Sequence, residues 1–81
     1  MTRDEVSQRV KKVTARELNL NAANIKDSDQ FSVELGADSL KSIELVAAFE
    51  EEFNVSVNEE EALQVQSIGA AIDFFAKLLN K

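Results

Sequence analysis

Apolar positions recur at helical spacing over three long stretches of the chain. Val6, Val10, Val13 and Leu18 return every three to five residues, which predicts a helix over 3–18. Thr2 and Glu5 stand at capping-box spacing at its start, where each side chain can satisfy a free N–H of the other residue. Residues 19–38 carry no sustained period. Asn19, Asn21, Asn24, Asp27, Ser28 and Asp29 crowd this segment, and such side chains compete for the backbone in turns. Leu20, Ile25, Phe31 and Leu35 punctuate it, so the loop is expected to be pinned to a core, with one helical turn near 22–26. A second helix is predicted over 39–53, free of Gly and Pro and rich in strong helix formers. Asn54, Val55 and Val57 form a connector. Asn58 and Glu61 repeat the capping spacing and open a short third helix over 59–65. Ser67 caps a fourth over 68–79, whose stripe is Ile68, Ile72, Phe75 and Leu79. Gly69, early in that helix, costs roughly 1 kcal/mol relative to Ala, and nothing in the sequence accounts for it. Four helices with short connections after one long loop predict an all-α fold, a small antiparallel four-helix bundle, as one domain over 1–81.

The second helix has an unusual wheel. At about 100° per residue, Leu45, Ser42, Phe49, Phe53 and Val46 fall on one arc, which is the core face. Leu40, Ile43 and Ala47 fall roughly opposite, with Glu50 on one edge of that second stripe and Glu44 and Glu51 on the other. A surface helix ordinarily needs one apolar stripe. Two explanations stand side by side. The short helix or the long loop covers the second stripe, or a partner protein docks on it with Lys or Arg against the glutamates.

With 81 residues, such a domain buries only ~60–65 % of its unfolded surface and has a thin core. A deep catalytic cleft does not fit that size. Hydrophobic residues make up 44 % and charged residues 30 %, a globular balance that argues against disorder. The chain has no Cys and no His, which removes the two best nucleophile and metal-ligand side chains and suits a reducing, cytoplasmic compartment. The net charge is −6, which disfavours nucleic acid and anionic membrane and favours partners with basic faces. No long apolar run or signal-peptide pattern stands out, and Met1 suggests a complete product.

The start of the second helix reads Leu35-Gly36-Ala37-Asp38-Ser39-Leu40. Gly36 permits a tight approach, and Asp38 or Ser39 can cap. For an arbitrary serine at this place, capping is the whole role. Ser39 has no base beside it, so it is a poor nucleophile and a hydrolase site is excluded. A phosphodiester attached there would meet free N–H groups and the positive end of the helix dipole, worth ~0.3–1 kcal/mol, while Asp38 opposes it by a similar amount.

Residues 31–53, FSVELGADSLKSIELVAAFEEEF, resemble the signature of acyl carrier proteins. The LGADSL stretch, the E-L-V after it and the acidic E-E-E-F end agree in order and spacing. The NEEEA of the third helix and the AAIDFF of the fourth also sit at family positions, so the resemblance covers nearly the whole chain. It implies that Ser39 is the serine to which a phosphopantetheinyl transferase attaches 4′-phosphopantetheine from coenzyme A, with Asp38 flanking it. The missing Cys then makes sense, because the arm brings the thiol. The resemblance further implies a non-catalytic, monomeric carrier that holds acyl groups as thioesters for a fatty acid, polyketide or related lipid pathway. Its partners would be acyl-processing enzymes with basic surfaces. Leu40, Lys41, Ile43, Glu44, Ala47, Glu50 and Glu51 match the family's docking surface, in agreement with the wheel. Val46, Phe49, Ala62, Val65, Ile68 and Ile72 fall where the family's acyl pocket and core lie. Three positions depart from the pattern. Lys41 stands where fatty-acid-synthesis carriers usually have an acid, which hints at a dedicated pathway. Glu34 replaces the usual Asp before LG, and Asn58 replaces a Pro-Asp start to the third helix. A peptidyl or amino-acyl carrier and an unmodified acidic interaction module are the alternatives; the negative charge and LGADSL favour the acyl carrier.

Other signals carry less. Asp27 and Asp29 resemble the start of a calcium loop, but Phe31 holds a ligand position and Ser32 the Gly position, so an EF-hand is rejected. Glu50–Glu52 and Glu59–Glu61 read as solvated helix faces, and no metal site is expected. From Asp38 to Glu61 there are eight acids and one base, so self-repulsion should destabilise the fold at low salt.

Overall fold

Local capping sets the helix limits in the computed structural model, which describes residues 1–80 (for Glu59, the backbone alone). Helix α1 spans Arg3–Leu18. Thr2 Oγ1 accepts the Glu5 N–H at 3.2 Å while the Glu5 carboxylate accepts the Thr2 N–H at 3.4 Å, the reciprocal pairing that satisfies two orphan donors of a helix start. Asn19 ends α1 in the left-handed region, φ 57°, a conformation Asn tolerates better than most residues. Helix α2, Ser39–Phe53, ends the same way at Asn54, φ 54°. Helix α3 is Glu59–Leu63 and α4 is Ile68–Leu79, capped by Ser67 Oγ on the Ala70 N–H.

Helix α1 packs against both α2 and α4. Val6, Val10 and Val13 on α1 are fully buried with Leu45, Phe49 and Phe53 of α2 and Ile68, Ile72 and Phe75 of α4. Phe75 is the hub. Its ring stacks on Phe53 at 5.0 Å between centroids and tilts against Phe49 at 5.4 Å, offset arrangements that aromatic quadrupoles favour. Ala48, absent from the predicted arc of α2, also faces the core. Among the described residues the fold is an all-α bundle of four α-helices.

The long loop is pinned by backbone bonds as well as by its apolar residues. Its helical turn is a single 3₁₀ turn, Ala22–Asn24, capped by Asn21. It stops short of 26 because Ile25 turns into the core. Residues 27–31 then run along the start of α4. Phe31 N–H donates to the Gln66 carbonyl at 2.9 Å, Ile68 N–H to the Asp29 carbonyl at 2.9 Å, and Gly69 N–H to the Asp27 carbonyl at 2.8 Å. Gln30 and Ser67 form an isolated antiparallel bridge. Two otherwise unpaired donors of α4 are thus satisfied by a remote segment rather than by water. The strap explains two departures from expectation. Helix α3 stops at Leu63 rather than 65, because the amides of Gln64 and Val65 close onto Glu61 and Ala62 and free Gln66 to pair with Phe31. Gly69 has its reason too: a Cβ there would lie 3.1 Å from the Asp27 carbonyl oxygen.

The strap also sets the approach to α2. Glu34 and Leu35 amides return to the Gln30 carbonyl, and Ala37 N–H reaches the Phe31 carbonyl at 2.7 Å. Gly36 takes φ +72° to make this reversal, a conformation that costs an L-residue and not glycine. Ala37 is buried directly behind it.

Candidate functional site

Asp38 is the N-cap of α2. Its backbone is extended and its Oδ1 accepts the Lys41 N–H at 2.8 Å. That resolves the choice left by the sequence: Ser39 does not cap, and is the first helical residue. It is exposed. Among the described residues its hydroxyl has no hydrogen-bond partner, and the amides of Ser39 and Leu40 donate to no protein acceptor. A free hydroxyl beside two free N–H groups at a helix start is open to a substituent and suited to an anionic one.

One and two turns further along α2, Ser42 and Val46 form part of the wall of a cavity of about 220 Å³. Its lining is mainly apolar, with Phe31, Phe49, Phe74 and Phe75 in the wall and Ser32, Ser42 and Gln66 as its polar members. Phe74 and Phe75 meet edge to face at 5.2 Å. Of the residues expected at an acyl pocket, Val46, Phe49, Ala62 and Val65 line this space. Ile68 and Ile72 do not; they are buried in the core with at most 1 % exposure. Periodicity marks all six as inward-facing, and cannot say which inward space each one borders. Leu63, missed in the sequence, stands at the cavity while remaining 61 % exposed. Phe31 was missed as a wall residue because the strap that places it is non-local.

The second stripe of α2 is open. Leu40 is 65 % exposed and Ile43 59 %, and Ala47 is exposed as well, so neither the loop nor α3 covers them. Fully burying a Leu or Ile side chain is worth ~1.5–3 kcal/mol, and Leu40 and Ile43 leave most of that unrealised in the folded chain. Its acids differ in freedom. Glu50 is half-buried, and its Oε2 accepts the Val57 N–H at 2.9 Å, fixing the connector to α3. Glu44 pairs with Lys41 Nζ at 3.2 Å. Glu52, outside the stripe, pairs with Arg9 at 3.3 Å. Glu51 is exposed and makes no ion pair among the described residues. Lys41 Nζ also reaches the Glu17 carbonyl at 3.5 Å, at the negative end of the α1 dipole.

Among the described residues no group of three or more acidic, His or Cys side chains could hold a metal ion. The side chain of Glu59, in the acidic run expected on α3, lies outside the described residues. No helix among them is long and apolar enough to cross a membrane.

Comparison with known proteins agrees with this geometry. Residues 8–75 match the family described as the phosphopantetheine attachment site. The structure is similar to that of the acyl carrier protein from Enterococcus faecalis. The two are 34 % identical, the match covers 91 % of this chain and 94 % of that one, and the TM-score is 0.74. The chain belongs to the acyl carrier protein family. Domains of this kind are sites of covalent 4′-phosphopantetheine attachment, and carriers of the family are non-catalytic.

Proposed function

We propose that Ser39 is the attachment residue and that the chain, one domain over 1–81, carries acyl groups for a lipid or polyketide pathway. The observation that carries this is the exposed Ser39 hydroxyl, without a hydrogen-bond partner among the described residues, one helical turn before Ser42, which lines a mainly apolar cavity. When attached, the arm supplies the thiol that this Cys-free chain lacks. The chain's own residues do the rest. The amides of Ser39 and Leu40 would be available to the arm's phosphate, and Asp38 is held on the Lys41 N–H, so its carboxylate keeps a fixed direction. The cavity walls formed by Val46, Phe49, Ala62 and Val65 exclude water from an apolar cargo, at ~0.8 kcal/mol per buried methylene. Leu40, Ile43 and Ala47 dock partners transiently, with charge giving speed and selectivity more than affinity. Those partners are a phosphopantetheinyl transferase and acyl-processing enzymes with basic surfaces, met by a cytoplasmic monomer. Lys41 favours a dedicated pathway over general fatty acid synthesis.

Incubation with coenzyme A, Mg²⁺ and a promiscuous phosphopantetheinyl transferase, followed by intact-mass measurement, tests the assignment. One arm's gain in mass, lost in Ser39→Ala, is expected. No gain with a transferase active on a control carrier would overturn it and favour an unmodified interaction module.

A further inference from the structure

The charges around α2 are unevenly available. Lys41 is the one base between Asp38 and Glu61. It lies two residues from Ser39 and holds Glu44 at 3.2 Å. The Ser39 end of the helix therefore presents one fixed cap carboxylate and one neutralised pair. At the far end Glu50 is tied to the connector and Glu52 to Arg9. Glu51 at the end of α2, and Glu60 and Glu61 on α3, remain exposed without ion pairs among the described residues. Twelve residues separate Ser39 from Glu51, about 18 Å of helix. That is about twice the ~8 Å screening length at physiological salt, so a docking surface senses the two ends separately. Between them runs the exposed Leu40, Ile43 and Ala47 stripe, at successive i+3 and i+4 steps.

On the carrier assignment above, we infer that the surface which docks here is divided in charge. Its basic groups meet Glu51, Glu60 and Glu61, and a spot without basic groups beside its active-site mouth meets the Lys41–Glu44 pair. The occupant is an acyl-processing enzyme with that charge pattern. Lys41 is then a specificity residue: by neutralising Glu44 it withdraws from this end of the helix an attraction that enzymes basic right up to the mouth would otherwise gain. A charge effect of this kind acts at the rim of an interface, on encounter, and is sensitive to salt.

The test uses the full chain, loaded with its arm by a promiscuous transferase and checked by mass. Malonyl transfer from malonyl-CoA is then measured with a malonyl transferase chosen for an acceptor surface that is basic throughout. Lys41→Glu is expected to raise kcat/KM by about fivefold, mainly through KM, and to steepen its fall with salt. Lys41→Met is expected to lie between, and Glu51→Lys and Glu60→Lys to lower the rate. Because Lys41 also touches the end of α1, thermal melts accompany each variant. Glu44→Gln, which frees Lys41 without touching α1, should slow transfer. Equal or slower transfer by both folded Lys41 variants overturns the inference, as does Glu44→Gln at the wild-type rate should the Lys41 variants not fold. Failure to load the arm would instead overturn the carrier assignment, so the two failures are distinct.

Discussion

Gly69→Ala sets two effects of known size against each other. Alanine is favoured over glycine by up to ~1 kcal/mol in a helix interior, and by less in the first turn, where Gly69 lies. Propensity alone therefore predicts a modest gain in stability. The structure predicts a loss. The new Cβ would stand 3.1 Å from the Asp27 carbonyl oxygen, a backbone atom that cannot rotate away as a side chain would. That oxygen also accepts the Gly69 N–H at 2.8 Å, so it cannot retreat without stretching the bond. Moving it pulls on the neighbouring Ile68–Asp29 bond and on the Lys11–Asp27 ion pair, 2.8 Å long. A net hydrogen bond is worth about 0.5–1.5 kcal/mol and an exposed ion pair less than about 1 kcal/mol. Losing the strap bond and straining its neighbour outweighs the propensity gain, for a net loss of about 1 kcal/mol. In a domain of this size that lowers Tm by about 4–8 °C. Circular-dichroism melts and urea titrations at fixed salt measure it. Gly69→Ala melting above the wild type would refute the account of the strap.

Three further outcomes follow from single features. Thr14 is fully buried and its hydroxyl has no partner among the described residues; Thr14→Val removes that unsatisfied group at nearly constant shape and should stabilise the fold by about 1 kcal/mol, so a lower Tm for the variant would count against it. Gly36 sits at φ +72° with nothing within 4 Å of a built Cβ, so Gly36→Ala should cost about 1 kcal/mol through the backbone alone, with Gly36→Asn less harmful; equal urea midpoints for wild type and Gly36→Ala would contradict this. Eight acids against one base between Asp38 and Glu61 repel one another, so Tm should rise as NaCl or Mg²⁺ goes from low to moderate concentration, and a flat salt dependence would rule that repulsion out.

The features legible in the sequence are those written in short-range code. The starts of α1 and α4 were readable because Thr2, Glu5 and Ser67 act within a few residues of their own positions; the left-handed caps at Asn19 and Asn54 are just as local, but in the sequence those residues read only as loop and connector. The open stripe of α2 was readable because a helix wheel is a local object; Leu40 and Ile43 lie opposite the buried Leu45 and Phe49. What stayed hidden crosses the chain. The strap joins residues 27–31 to residues 66–69 through main-chain atoms, and main-chain atoms are the same in every sequence. Its one trace is Gly69, which looks like a defect until Asp27 is placed beside it. The same strap holds Phe31 in the cavity wall and, through the Phe31 carbonyl, the Ala37 amide that leads into Asp38 and Ser39. The start of α2 and one wall of the cavity are therefore positioned by the start of α4, about thirty residues further on. Loosening that junction should disturb the placement of Ser39 relative to the cavity before it disturbs the helices themselves, since each long helix carries its own caps.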